Sequence, residues 1–323
     1  MPLSETKVES RTAVAERKPF VPVAPRNVLF ATDFSSTSEA ALPYAAAICR
    51  RFGSTLHAAH VFSDTNLLAM TGGVDYVSMG TIYDSALQDA SEKLEHVARA
   101  FQDIPHHNHV RHGLIWDNLA EIIVENEIDL ILVGTHGRTG LGKLLLGSVA
   151  EDILRHAPCP VLTVGPKVSG HAKLPELPAV GRDLAPLELD LRQILVATNF
   201  DRHSPVVGQA AVSLAQAFHA QLTLMHVFEN YTHLGSQPDL IEEGQRRLQE
   251  LLPRDAALQY PPETVLEFGS AAERILKVAA QREADLLVLG ARPAARAGST
   301  HLPWTTAHQA IANAHCPVLT IRE

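Results

Sequence analysis

The feature that most constrains the fold of this chain is an internal repeat. Residues 27–62, NVLFATDFSSTSEAALPYAAAICRRFGSTLHAAHVF, align without a gap with residues 193–228, QILVATNFDRHSPVVGQAAVSLAQAFHAQLTLMHVF. Each stretch opens on a short apolar run, VLFAT or ILVAT, enters an alanine-rich segment and returns to an apolar run ending His-Val-Phe. Short apolar runs of this kind are expected of strands covered on both faces in a parallel sheet, so each stretch reads as β-α-β. The match resumes at GLIWDNLAEIIVENEIDLILVG, residues 113–134, against GSAAERILKVAAQREADLLVLG, residues 269–290, a helix followed by a strand. It closes with PCPVLTV at 158–164 against HCPVLTI at 315–321. Each half is therefore expected to run β-α-β-α-β-α-β-α-β. Right-handed crossovers between such strands imply an α/β fold, an open parallel sheet with helices on both faces. Ligands of such sheets sit at the carboxyl ends of the strands. Residues 165–190, GPKVSGHAKLPELPAVGRDLAPLELD, are rich in Pro and Gly and lack periodicity, as linkers do. The expected organisation is a tail over 1–24, a first domain over 25–166, a linker over 167–190 and a second domain over 191–323.

Composition narrows the function. A length of 323 residues suits about two domains, and no apolar run approaches the roughly 18 residues of a membrane span. The first residues, MPLSETKVESRTAVAERKPF, have no apolar core and do not read as a secretory leader. Cys49, Cys159 and Cys316 form no C-x-x-C pair, which suits free thiols in a reducing cytoplasm. A formal charge of −9 argues against nucleic acid as a partner, because displacing counterions from phosphates needs a basic face. An anionic ligand would need donors placed locally.

Such donors are suggested by GTHGRTGLGKLLLGS, residues 134–148. Gly137 to Lys143 spell G-x-x-x-x-G-K, but Leu144 stands where a Walker A loop needs a hydroxyl for Mg²⁺. Ser148 and Glu151 form an S-x-x-E capping box, which starts the next helix at Gly147-Ser148 and not after Lys143. What remains is a loop that leaves a strand at Gly134, passes Gly137 and the basic segment Arg138 to Lys143, and returns at a helix N-terminus able to cradle phosphate. The same glycines would also serve simple turns, and Ser148 would also serve as a plain cap. Asp33 is an acceptor at the end of the first strand. It would equally cap the following helix, although Ser36 and Glu39 offer an S-x-x-E box there.

The spacing Gly134-x2-Gly137-x9-Gly147-Ser148 resembles the ATP-binding signature of the universal stress protein family. The likeness extends to Thr32-Asp33-Phe34-Ser35, to His60-Val61 and to Cys159-Pro160-Val161, and the second half repeats the frame. It implies two tandem five-stranded domains of strand order 3-2-1-4-5. It also implies ATP, with or without Mg²⁺, as the ligand of the first. Carried over position by position, Asp33 and the backbone of Val61 would hold adenine, with Thr32 beside them. Gly134, Gly137, Gly147, Ser148 and Val149 would surround ribose and phosphates. Arg138 and Lys143 are the nearest cations, or else solvated loop charges. In the family the last strands make dimer contacts, so Val161–Val164 and Val318–Ile321 are expected to pair the halves as a pseudo-dimer; a homodimer and a protein partner stay open.

The second half departs from the signature. Asn199 replaces Asp33, Pro293 stands at Gly137, and Trp304-Thr305 align with Gly147-Ser148. Proline removes a donor and tryptophan would fill the space, so this half is expected to be degenerate, a shifted mode through Arg292 and Arg296 being the alternative. His106, His107, His109 and His112 suggest a metal site, but strand alternation would put His109 and His112 on opposite faces. Residues 63–84 read as a lid hinged at Gly72-Gly73, as a surface insertion or as the start of a helix. The resulting function is a nucleotide-responsive stress or signalling protein, at most a slow ATP hydrolase since Walker chemistry is missing. A scaffold that binds no nucleotide, or an adenine-nucleotide hydrolase, are the alternatives.

Overall fold

A computed structural model describes residues 25–63, 76–135, 146–168, 190–202, 204–229, 238–253, 256–290 and 306–322. The expected tail and nearly all of the expected linker lie outside them. The first half runs β1 (Asn27–Ala31), α1 (Ser36–Glu39), α2 (Leu42–Phe52), β2 (Thr55–Phe62), α3 (Tyr76–Ala98), β3 (His106–His112), α4 (Ile115–Glu125), β4 (Leu130–Gly134), α5 (Ser148–His156) and β5 (Val161–Val164). The second runs β6 (Gln193–Thr198), α6 (Ser204–Phe218), β7 (Gln221–Phe228), α7 (Pro238–Glu250), β8 (Glu263–Phe268), α8 (Ala271–Gln281), β9 (Leu286–Gly290), α9 (Thr306–Asn313) and β10 (Val318–Ile321). Of the span considered as a lid, residues 76–84 belong to α3, and 64–75 lie outside the described residues.

The strands form one ten-stranded sheet of order β3-β2-β1-β4-β5-β10-β9-β6-β7-β8. Each half has the expected order 3-2-1-4-5 with every internal pairing parallel. The halves meet where β5 pairs with β10 antiparallel, Leu162 opposite Leu319. The central strands are built mostly of apolar residues, and β4, LILVG, is buried along its whole length. Alternation sends their side chains to opposite faces. One face carries a continuous core through both halves, including Phe30, Leu132, Leu162, Val196, Val288 and Leu319. The other carries two clusters, one around Leu29, Ile131 and Ile153 and one around Leu195, Leu287 and Ile311, with Leu154 packed against both.

Duplication reaches the backbone. The Asp129 carboxylate accepts from the amides of Arg26 and Asn27 at 2.9 and 3.2 Å, tying the start of β1 to the start of β4. Asp285 does the same for Arg192 and Gln193, both at 2.8 Å. Just before these aspartates, Glu127 and Glu283 take left-handed turns with φ of 48° and 49°.

At the seam the Thr163 hydroxyl donates to the Val318 carbonyl and the Thr320 hydroxyl to the Val161 carbonyl, each at 3.1 Å and each buried. Pairing removes the exposed edge that either half would otherwise present. Leu162 and Leu319, 3% and 6% exposed, lie in the continuous core. Leu319→Asp would place an unpaired charge there and should cost at least about 3 kcal/mol. The expected results are a lower urea midpoint and faster proteolysis between the halves; an unchanged midpoint would remove the seam from the stability of the fold.

Candidate functional site

In a doubly wound sheet the crevice opens where strand order reverses, here between β1 and β4. The chain leaves β1 through Thr32-Asp33-Phe34, and this turn is held by its own side chains. The Thr32 hydroxyl accepts from the Phe34 amide and contacts the Ser38 hydroxyl, both at 3.0 Å. Asp33 Oδ1 accepts from the Ser35 amide at 3.0 Å. His60 Nδ1 donates to the Thr32 carbonyl at 2.8 Å, which fixes its tautomer, and its ring packs on Phe34 at 4.4 Å. Phe34 has φ of 60°, a left-handed conformation that costs a non-glycine residue on the order of 1 kcal/mol and is found where a site over-determines the backbone.

The second half builds the same turn. Phe200 has φ of 59°, its amide donates to the Thr198 hydroxyl, Asn199 Oδ1 accepts from Asp201, and His226 Nδ1 donates to the Thr198 carbonyl at 2.7 Å. The sequence showed Thr-x-Phe and His-Val-Phe recurring at one offset, but this gave no hint that the histidine locks the threonine carbonyl. Asp33 thus holds the turn by accepting from the Ser35 amide and does not cap the following helix, whose N-cap is Ser35. Asn199 shows that an amide serves as well.

Beyond β4 the Gly147 amide donates to the Thr135 carbonyl at 2.7 Å, which brings the start of α5 back to the carboxyl end of β4. Gly147 is the N-cap, with φ −63° and ψ 148°, and no side chain caps the helix. The expected Ser148–Glu151 box is therefore not formed. Ser148 is already helical, and Glu151 instead takes Arg155 at 3.0 Å one turn on. The other expected box also shifts: the N-cap of α1 is Ser35, whose hydroxyl accepts from Ser38 at 3.2 Å, in place of Ser36 with Glu39. Helix geometry leaves the amides of Ser148, Val149 and Ala150 without intrahelical acceptors, so they form a donor set at the crevice.

Thr32, Asp33, Val61, Gly134, Gly147, Ser148 and Val149 all lie at carboxyl ends of β1, β2 and β4 or at the start of α5. Gly137, Arg138 and Lys143 lie outside the described residues, as do Pro293, Arg292, Arg296, Trp304 and Thr305 in the second half. Gly134 has a packing reason of its own. A Cβ there would stand 2.7–2.9 Å from the backbone of Thr37 and Ser38, so α1 rests directly on the end of β4. Among the described residues the nearest atom to a Cβ at Gly290 would be a Val207 methyl of α6, at 3.4 Å.

In the second half, Thr198, Asn199, Val227, Gly290 and Thr306 line a cavity of about 420 Å³. These positions match Thr32, Asp33, Val61, Gly134 and Val149 in the repeat.

The histidines assemble differently from a metal centre. Among the described residues no group of three or more His, Cys, Asp or Glu is arranged to hold a metal. His109 does face away from His112: it stacks on His57, with Nδ1 of His57 3.1 Å from its Nε2, whereas His112 meets Tyr83 and Phe62. Burial, then the neighbouring His109 and His107, pushes His57 down to about 4, and burial also lowers His109. The three thiols are buried, and burial raises Cys49 and Cys316 to about 12 and Cys159 higher, so they stay protonated and packed. Among the described residues no helix is long and apolar enough to cross a membrane.

Comparison with known proteins identifies the family of both halves. The Universal stress protein family matches residues 25–165 and again 191–322. A universal stress protein of Methanocaldococcus jannaschii is 28% identical over 139 residues, 43% of this chain and 81% of that protein. A universal stress protein A homologue of Coxiella burnetii is 30% identical over 140 residues, 43% of this chain and 95% of its own. The crystal structure of a universal stress protein from Archaeoglobus fulgidus superposes with a TM-score of 0.64 at 20% identity. It covers 92% of this chain and 98% of that one, and shares the fold.

Two outcomes test the site as built. Gly134→Ala should destabilise by roughly 2 kcal/mol or more through overpacking; an unchanged midpoint in thermal melts would contradict the contact with α1. His57 is nearly buried, and its folded pKa lies below its unfolded one, so its contribution is complete above about 6.5 and lost as pH falls toward 4. The loss should be on the order of 3 kcal/mol. Urea titrations of His57→Leu beside the parent chain at pH 7 and 4.5 should show a smaller acid loss in the variant.

Proposed function

The chain belongs to the universal stress protein family, and from that premise we propose that its first half binds ATP at the carboxyl ends of β1 and β4, and that occupancy, more than turnover, is what it signals. The carrying observation is the meeting of two prepared elements at the sheet's switch point: the strained Thr32-Asp33-Phe34 turn, and the amides opened at the start of α5 by a side-chain-free cap at Gly147. Backbone donors at a helix N-terminus suit phosphate. Asp33 and the backbone of Val61 suit the adenine end. Gly137 and Arg138, with Lys143, would complete the phosphate loop, with or without Mg²⁺. The residues in place bind and orient, and none is set to activate a nucleophile. The domains would be 25–166 and 191–323, joined by 167–190 after a tail over 1–24. Buried, protonated thiols fit a cytoplasmic protein.

The expected stoichiometry is one ATP per chain, because Asn199 removes the carboxylate in the second half. Asp33→Asn separates charge from structure, since Asn199 already makes the same turn. It should weaken ATP by about 1.5–3 kcal/mol, the worth of a charge-assisted hydrogen bond. Gly147 has backbone angles open to any residue, so Gly147→Leu tests space and not strain; it should abolish binding. Equilibrium dialysis with a slowly hydrolysed ATP analogue decides: two sites per chain, or full affinity in both variants, would sink the reading.

A further inference from the structure

The cavity in the second half is not a copy of the first-half site. Arg155, from α5 of the first half, lines it, and so does Arg322, just past β10. In the repeat the residue matching Arg155 is Ala312 and the residue matching Arg322 is Gly165, so neither guanidinium has a counterpart across the seam. Both are held in place. Arg322 is 7% exposed. Arg155 is fixed through Nη2 to Glu151 at 3.0 Å, while its Nε is buried without a hydrogen-bond partner. A guanidinium keeps its charge under all ordinary conditions, so this end of the cavity holds two cationic groups, with the Glu151 carboxylate paired to one of them. The first turn of α9, with Thr306 and Ala307, lines the same space.

The rest of the lining differs in character along its length. Ala197, Val227, Ile275 and Leu289 give an apolar wall. Toward β6 and β7, two and three strands along the sheet from β10, stand Asp201 and Glu229, which accept from the Ser204 amide at 3.1 Å and the Ala271 amide at 3.2 Å. An anion is therefore excluded from that end and favoured at the arginines. A volume of about 420 Å³ accommodates a small organic molecule and is far too large for a bare ion.

We propose that this cavity is a second, separate ligand site, one that takes an organic phosphomonoester with its phosphate against Arg155 and Arg322 and its apolar body along the wall of β6, β7 and β9. Donors on the body, hydroxyl or amino, would meet Asp201 and Glu229. Two guanidinium forks beside a helix start suit a dianion better than a carboxylate. The site belongs to neither half alone, because α5 reaches over the seam to complete it. Side-chain cations here do what a glycine-rich loop does elsewhere in such folds. The inference is independent of ATP in the first half.

Isothermal titration of the full chain with phenyl phosphate, inorganic phosphate, benzoate and phenol tests it. Phenyl phosphate should bind one site per chain at least tenfold more tightly than the other three. Arg155→Gln and Arg322→Lys should each weaken it tenfold or more. Asp33→Asn, at the other site, should leave it unchanged. Arg155 sits partly at the surface, so its variant should fold even where a change at Arg322 does not, and circular dichroism checks both. No binding of phenyl phosphate, binding indifferent to Arg155→Gln, equal binding of phenol, or loss through Asp33→Asn would each overturn the proposal. Loss of ATP binding without loss of phenyl phosphate binding would leave this site standing and count against the first-half reading alone.

Discussion

The antiparallel pairing of β5 with β10 is the contact on which the arrangement depends. Every other pairing in the sheet is parallel and internal to one half. Parallel sheets need both faces covered, and a half taken alone would end on a short apolar edge strand. Joining the two edges solves the problem once for both halves. It also makes one face a single core and brings α5 and α9 side by side on the other, where Leu154 touches both clusters. His308 on α9 senses the neighbours this creates: burial lowers its pKa, with Glu151 and Arg155 of α5 acting in opposite directions.

Between the halves, what repeats is backbone and what differs is the ligand-facing chemistry. The aspartate latches, the left-handed glutamates and the Thr-x-Phe turn with its histidine lock occur twice with nearly equal geometry. These features set where strands begin and end, so losing one would cost stability in either half. Asp33 and Asn199 differ only in charge while serving the same turn. Gly165 and Arg322 differ in everything except position. Such positions are free to diverge because the sheet does not depend on them.

The β-α alternation of each half was legible in the sequence because it follows from apolar runs, whose burial is nearly independent of detail; the strand order and the seam came with the resemblance to the family. The helix starts were less so. S-x-x-E patterns at Ser36 and Ser148 predicted caps one residue away from those that form, since a cap depends on where the preceding loop delivers the chain. At α5 that is decided by the 2.7 Å bond from the Gly147 amide to the Thr135 carbonyl, a contact made only after the loop closes. Gly134 looked like a phosphate-loop glycine, yet its missing side chain is also required by α1, whose backbone at Thr37 and Ser38 rests on it. Arg322 gave no signal at all. A single penultimate arginine carries no pattern, and only folding places it in one cavity with a helix from the other half.

Fusion of the halves is what permits the asymmetry. In a dimer of two identical chains joined through their last strands, any residue of α5 that reaches over the seam would appear twice, once in each cavity. An arginine at that position would then stand at both sites and alter both. In a single chain the position can be Arg155 on one side and Ala312 on the other, and the residue after the last strand can be Gly165 or Arg322. Each cavity is then tuned by the opposite half without an echo in its own. Two sites of different chemistry can share one sheet, and because α5 opens the first site at Gly147 and lines the second with Leu154 and Arg155, a shift of this nine-residue helix would be felt at both.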